Sequence, residues 1–515
     1  MGRTLQILKS NKAQFEYDIH ALVKAFYPAW ELKILTPESA VRDRKVRETA
    51  PVMELVFGEK EVKFTIHKSL HNIEEECNNA GKDLDGAKAQ SSAENDSVYL
   101  WHDTDLTDPS AYKDRFKQFL YTSLQKETGR TLPWGNLTGI RPTKIALTML
   151  EHGESEQAVA AFLREKHFVS EEKTALGIEI AKREREILSS LHYENGYSLY
   201  IGIPFCPTTC LYCSFTSYPI SMWKERVADY LKALEREVSA VAQMYQDKVL
   251  DTVYIGGGTP SSLSADELDR LITMLKNAFA FQTVQEFTVE AGRADSITED
   301  KLKVLYRHGV TRISVNPQTM KQETLKLIGR QHTVEQVADA FRVARKAGFN
   351  NINMDIILGL PGETREDVRD TIEAIRELGP DSLTVHSLAV KRASGLQKWI
   401  AENGVTAYNN TEETMEIAAA GARDMNMVPY YLYRQKNMSG NFENVGYSVE
   451  GKYGIYNILI MEEKQTIVAC GAGSITKRVY PDGRIERCEN VKDVSQYIER
   501  IEEMIERKEQ LLGRL

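Results

Sequence analysis

Residues 198–215 read SLYIGIPFCPTTCLYCSF: a β-branched strand running straight into three cysteines, Cys206, Cys210 and Cys213, spaced Cys-x3-Cys-x2-Cys. From this strand to Ala389 the chain alternates short apolar runs with amphipathic helical periods. Further strands are expected at 252–258 (TVYIGGG), 286–292 (EFTVEAG), 312–318 (RISVNPQ), 351–359 (NINMDIILG) and 382–389 (SLTVHSLA). Helical periods fall between them at Trp223–Met244, Ala265–Phe279, Glu299–His308, Thr333–Ala347 and Arg365–Leu378. Such alternation predicts a parallel sheet with right-handed crossovers. Six βα repeats between Ser198 and Ala389 fit a partial (β/α)6 barrel better than a closed eightfold one.

The flanks read differently. Residues 1–190 carry strand-like runs (Glu61–His67, Asp96–Trp101) and helical periods (Tyr112–Lys126, Lys173–Leu188), with a polar, flexible insertion at Glu75–Glu94. They predict an N-terminal α+β accessory domain. Within it PWGNLTGIRPTKIA (Pro133–Ala146) suits an ordered loop feeding a helix from about Pro142. After the barrel, taken as 191–392, residues 393–515 predict a mixed α/β segment covering the barrel opening. It has helices at Leu396–Glu402 and Glu412–Asn426, and antiparallel strands at Tyr430–Arg434, Gly454–Met461 and Gln465–Ala469. A hairpin at Asp482–Gly483 and one closing helix from Val491 to Leu512 complete it.

At 515 residues with 42% hydrophobic content, the chain is long enough for two or three cored domains. Lys and Arg number 65 against 74 Asp and Glu, a net charge of −9, which argues against a nucleic-acid partner. The start, MGRTLQILKSNKAQFEYD, has no apolar stretch of signal length, and no later run reaches membrane-spanning length. A soluble cytoplasmic protein with no membrane partner is expected. The 6 cysteines are too few for a disulfide scaffold, and three of them crowd into Cys206–Cys213.

Three thiolates can hold three irons of a 4Fe–4S cube and leave the fourth open for chemistry. A closed zinc site would want four ligands, and no Cys or His pair of suitable spacing stands nearby. The loop also follows a barrel strand, where such folds place active sites. One βα unit later, GGGTP (Gly256–Pro260) ends the second strand. Its glycines let backbone groups approach a charged ligand, although a glycine-rich turn is more often only a turn.

The cysteine motif, with an aromatic (Tyr212) before its last cysteine, resembles the signature of the radical S-adenosylmethionine (SAM) superfamily. The resemblance implies a 4Fe–4S cluster on Cys206, Cys210 and Cys213, whose open iron chelates SAM, and a 5′-deoxyadenosyl radical that removes a substrate hydrogen. Later strands resemble the coproporphyrinogen dehydrogenase branch of that superfamily. By that resemblance Gly257, Gly258, Thr259 and Glu290 belong to the SAM site. Arg330 pairs with the SAM carboxylate, Gln318 and Asp355 bind the ribose, and Ile357 and Ala389 lie near the adenine. Tyr200 matches a tyrosine beside cofactor and substrate, and equally reads as a barrel-interior aromatic.

There are departures. Phe215 stands where the best-known members carry a fourth cysteine, and Gly202 replaces a histidine. Heme chaperones of the branch carry His-Asn-x-x-Tyr, where this chain has Glu443-Asn444-Val445-Gly446-Tyr447. The long N-terminal domain and YYLYRQKNMSGNFENVGY (Tyr430–Tyr447) resemble the HemZ group instead. This implies oxygen-independent decarboxylation of coproporphyrinogen III to protoporphyrinogen IX in heme biosynthesis. A heme-binding chaperone and a radical SAM methyltransferase acting on heme stay as alternatives. The implied partners are a tetrapyrrole and a small electron-donor protein such as flavodoxin or ferredoxin. Arg293, Arg312, Lys391, Arg392 and Arg434 are candidates for binding its carboxylates.

Overall fold

The computed structural model describes residues 5–27, 30–37, 52–67, 96–103, 105, 107–139, 141–389, 394–403, 410–435 and 442–513. Cys77, the polar stretch 75–94, Lys391 and Arg392 lie outside them. The chain divides into two compact units, Met1–Pro142 with Glu154–Ala175, and Thr143–Gly153 with Leu176–Leu515.

The first unit holds a five-stranded sheet in the order Glu31–Leu35, Leu5–Ser10, Met53–Phe57, Val62–Ile66, Ser97–Trp101. The first two pairings are parallel and the last two antiparallel. Alternate residues such as Met53, Leu55 and Phe57 turn inward and meet Phe116, Leu120 and Leu124 of the Pro109–Thr128 helix. That helix starts where Asp108 accepts from the Ser110 and Ala111 amides at 2.8 and 3.2 Å, with Pro109 in its first turn. It stops at Gly129 in the left-handed region, φ 65°.

In the second unit six parallel strands lie side by side in chain order: Gly196–Ile203, Val249–Gly257, Glu286–Gly292, Arg312–Val315, Ile352–Leu358 and Ser382–Ser387. Each pairing between neighbours is parallel. This is the partial (β/α)6 barrel, an open sheet in which four of the intervening helices begin at side-chain caps, on Ser264, Thr298, Thr333 and Thr364. Ser264, Thr333 and Thr364 each form a reciprocal capping box. The C-terminal segment lengthens the sheet at both edges. Asn444–Ser448 pairs antiparallel with Ser382–Ser387 and carries Val428–Tyr433 outside it. Thr466–Cys470 joins the first barrel strand on the other edge.

Two sequence expectations for this segment are corrected and a third is extended. Gly454–Met461 is not a strand: Ile455–Glu462 is a helix whose first amides, of Ile455 and Tyr456, both donate to the buried Glu286 carboxylate. An apolar run this short is ambiguous by periodicity, and a distant carboxylate decided it. Thr466–Cys470 is antiparallel to Ile475–Val479, as expected, but its other side pairs parallel with Gly196–Ile203. The closing helix is two, Val494–Glu499 and Ile501–Leu512, broken at Arg500. The hairpin at Asp482–Gly483 joins Ile475–Val479 to Ile485–Glu489 as expected. Among the described residues no helix is long and apolar enough to cross a membrane.

Candidate active site

Barrel strands are buried on both faces, so the exceptions within them mark the lumen. Tyr200, Tyr254, Glu290, Asp355 and His386 are the partly exposed interior positions of five strands, and every one is polar or aromatic. Tyr200 and Tyr254 are paired in register and stack with ring centroids 6.1 Å apart, and Tyr456 closes on Tyr254 at 4.4 Å. The Tyr254 hydroxyl donates to Glu290 Oε1 at 2.5 Å. Burial raises the Glu290 carboxyl to about 7, against the lowering pull of that hydrogen bond. Asp355 goes the other way. Burial pushes it up, yet the His386 imidazole 3.8 Å away and the Asn353 Nδ2 donor at 2.6 Å hold it below the usual range.

The cysteine loop hangs over this layer on contacts from three other strand ends. The Gly258 and Thr259 amides donate to the Ile203 and Phe205 carbonyls at 2.8 and 2.7 Å, and Thr259 Oγ1 faces Cys206 Sγ at 3.4 Å. A Cβ on Gly258 would meet Phe205 O at 2.7 Å and Cys206 Sγ at 3.0 Å, so glycine is required for this approach. Gly257, at φ 111°, makes the turn. On the other side the Leu211 amide donates to Ile328 O at 2.9 Å and Thr208 Oγ1 to Gly329 O at 3.0 Å. Cys206 is buried and the Cys210 and Cys213 thiols are half-buried. Burial, with the two neighbouring thiols, pushes Cys206 up to about 11.

Among the described residues no three His, Cys, Asp or Glu side chains, the three thiols included, are placed around one metal ion. Their donor set instead fits a polynuclear iron–sulfur cluster: three thiols on one loop, with partners on the second, third and fourth βα loops.

The remaining expected residues gather around the same loop. Arg330 is buried, donates through Nη2 to the Tyr212 hydroxyl at 3.2 Å and through Nη1 to Asn316 O, and its Nε has no hydrogen-bond partner. An orphaned, buried cationic donor fits a carboxylate ligand. Gln318 is a non-glycine residue at φ 69°, held there by its amide on Asp355 O and by the Ile357 amide on its own carbonyl, both at 2.9 Å. Strain of this kind persists where the surroundings enforce it and clusters at functional sites. Ile357 packs with Leu211 and Tyr212 of the cysteine loop, and half-buried Ala389 follows the last barrel strand.

The arginines expected to face substrate carboxylates are otherwise engaged. Arg312 starts its strand, at the end of the barrel away from the cysteine loop, with Ser382 Oγ at 3.1 Å and the Glu286 carboxylate beside it. Arg434 is buried with the Glu443 carboxylate as its electrostatic partner. Arg293 forks onto Asp295 at 3.0 and 2.6 Å and reaches the cysteine loop. Sequence reasoning missed Tyr254, Tyr456 and His386. The first is visible as the lone aromatic in TVYIGGG, whereas Tyr456 was hidden by reading its helix as a strand.

Residues 200–375 match the Radical SAM superfamily. The oxygen-independent coproporphyrinogen-III oxidase-like protein HemZ of Bacillus subtilis is 40% identical over 464 residues, covering 88% of this chain and 91% of its own. The heme chaperone HemW of Lactococcus lactis is 40% identical over 194 residues, 38% of this chain and 49% of its own. The solved coproporphyrinogen III oxidase HemN of Escherichia coli aligns with TM-score 0.49 and 21% identity, over 62% of this chain and 72% of that one. The superfamily works with a 4Fe–4S cluster and SAM, and on the near full-length match this chain belongs to it, within the HemZ group.

Proposed function

We propose that this protein is a radical SAM oxidoreductase that converts two propionates of coproporphyrinogen III to vinyl groups without oxygen, giving protoporphyrinogen IX. For each vinyl group the side chain loses CO2, one hydrogen atom that ends in 5′-deoxyadenosine, and one electron to an external one-electron acceptor, while SAM takes up one donated electron and ends as methionine and 5′-deoxyadenosine. The observation that carries this reading is the 40% identity to the HemZ protein over 88% of the chain, against 38% covered by the HemW chaperone.

In this reading Cys206, Cys210 and Cys213 hold the cluster, and Arg330 binds the SAM carboxylate through its free Nε. Glu290 and the Gly257–Thr259 turn hold the SAM amino group, while Gln318 and Asp355 accept from the ribose hydroxyls, a task suited to the ionised Asp355. Ile357 and Ala389 flank the adenine, and Tyr200 sits between cofactor and substrate. Bound there, cluster and SAM supply one-electron cleavage and hydrogen-atom abstraction, and the chain's own task is to position and to exclude water. Residues 1–190 select or deliver the tetrapyrrole, and a small redox protein such as flavodoxin or ferredoxin provides the electron. The heme-chaperone alternative is weakened by Glu443, a fully buried acid beside Arg434 where a heme-ligating histidine is needed.

Anaerobic incubation of reconstituted protein with SAM, dithionite and coproporphyrinogen III, followed by mass spectrometry, tests the reading. Tripropionate and protoporphyrinogen products are expected. Vigorous SAM cleavage without them sinks the decarboxylase reading, and a stoichiometric Soret shift on heme titration without turnover transfers it to the chaperone.

A further inference from the structure

Behind the cysteine loop lies a chain of charged groups that SAM binding does not use. Arg293 is buried, 3% exposed, in the loop that follows the third barrel strand. Its Nε and Nη2 are fixed by the Asp295 carboxylate at 3.0 and 2.6 Å. That leaves Nη1 pointing into the cysteine loop, where it donates to Thr208 O at 3.0 Å and Thr208 Oγ1 at 2.7 Å and faces Cys210 Sγ at 3.9 Å. Asp295 is itself backed by the fully buried His332, whose Nδ1 lies 3.7 Å from Oδ1. Burial alone would raise the Asp295 carboxyl, but His332 and Arg293 together hold it far below the usual range, so the carboxylate stays charged. Thr208 in turn donates to Gly329 O, next to Arg330.

We propose that Arg293 is a positioning residue for the iron–sulfur cluster, which anchors the Cys210 segment through Thr208 and sets a fixed cationic donor against the Cys210 sulfur. The inference rests on the reading that Cys206, Cys210 and Cys213 are the cluster ligands. A hydrogen-bonding cation at a ligand sulfur favours the form of the cluster that carries the extra electron, and outer hydrogen bonds of this kind set both potential and ligand orientation. An arginine whose fork is already clamped by a carboxylate keeps that geometry whether or not SAM is present. A purely structural ion pair would fix the loop but leave the cluster's potential unmoved when the charge is removed and the loop stays folded.

The test uses anaerobically reconstituted full-length protein without substrate, with iron and sulfide counts, potentiometric electron paramagnetic resonance, and iron release to an added chelator. Arg293→Met is expected to lower the reduction equilibrium of the cluster about tenfold, a downward shift of about 59 mV for one electron, and to speed iron release at least as much. Arg293→Lys keeps the charge but cannot span Asp295 and Thr208 together. It should hold a potential near the parent's while releasing iron faster. A fully loaded Arg293→Met protein with the parent's potential overturns the proposal. If Arg293→Met loads poorly, Arg293→Lys decides: release at the parent's rate overturns it. Iron and sulfide counts on single Cys→Ala variants separately test the ligand reading, so failure of that reading is told apart from failure of this one.

Discussion

Replacing Arg330 with Ala removes a buried guanidinium whose Nη1 and Nη2 serve Asn316 O and Tyr212 while Nε is free. If Nε binds the SAM carboxylate, the variant loses a charge-assisted contact in a desolvated site, about 2–3 kcal/mol. That corresponds to roughly 25- to 150-fold weaker SAM binding. Tyr212→Phe is the control, since it deletes one hydrogen bond of 3.2 Å but leaves the charge in place. Its cost should be about 1 kcal/mol, near fivefold. Arg330→Lys keeps the charge without the planar fork and should fall between the two. Equilibrium dialysis of labelled SAM against anaerobically loaded protein, with iron counted in each sample, gives the affinities. An Arg330→Ala protein with a full cluster and the parent's affinity would refute the assignment.

Glu290, raised to about 7 by burial, accepts from the SAM amino group best as a carboxylate, so SAM affinity should climb with pH up to about 7 and then level. The folded state binds this proton more tightly than the unfolded chain does, so stability should fall as pH rises from about 4.5 to 7. Glu290→Gln flattens both profiles, and unchanged curves would rule the group out. Gly258→Ala drives a methyl to within 2.7 Å of Phe205 O and 3.0 Å of Cys206 Sγ. It should cost about 1–3 kcal/mol in urea unfolding and deplete cluster iron, and full loading at parent stability would contradict the close approach. At Gln318, φ 69°, Gly should be more stable than Ala by about 1 kcal/mol, the reverse of the usual order, while both weaken SAM binding. An Ala variant as stable as Gly would deny the strain.

The barrel was legible because its strands announce themselves. Each is an apolar run too short for a helix, set off by amphipathic periods, and Ser264, Thr333 and Thr364 start helices within a residue or two of where periodicity put them. The C-terminal segment was less so, because its structure depends on partners far away in sequence. Glu286 turns Ile455–Glu462 into a helix across 169 residues, and Thr466–Cys470 becomes parallel only by adding to the first barrel strand. Local periodicity carries neither fact. The same holds for the arginines: their residue type suggested carboxylate binding, but Arg312 and Arg434 belong to buried acids, Glu286 and Glu443. Pairing across the fold, which sequence cannot display, decides whether a charge is available to a ligand.

Iron and sulfide content of the anaerobically reconstituted parent, beside Cys206→Ala, Cys210→Ala, Cys213→Ala and Cys470→Ala variants, tests the central claim most directly. A full 4Fe–4S signal with SAM cleavage is predicted for the parent and for Cys470→Ala, and its loss in the other three. A complete cluster that still cleaves SAM in Cys210→Ala would contradict the account.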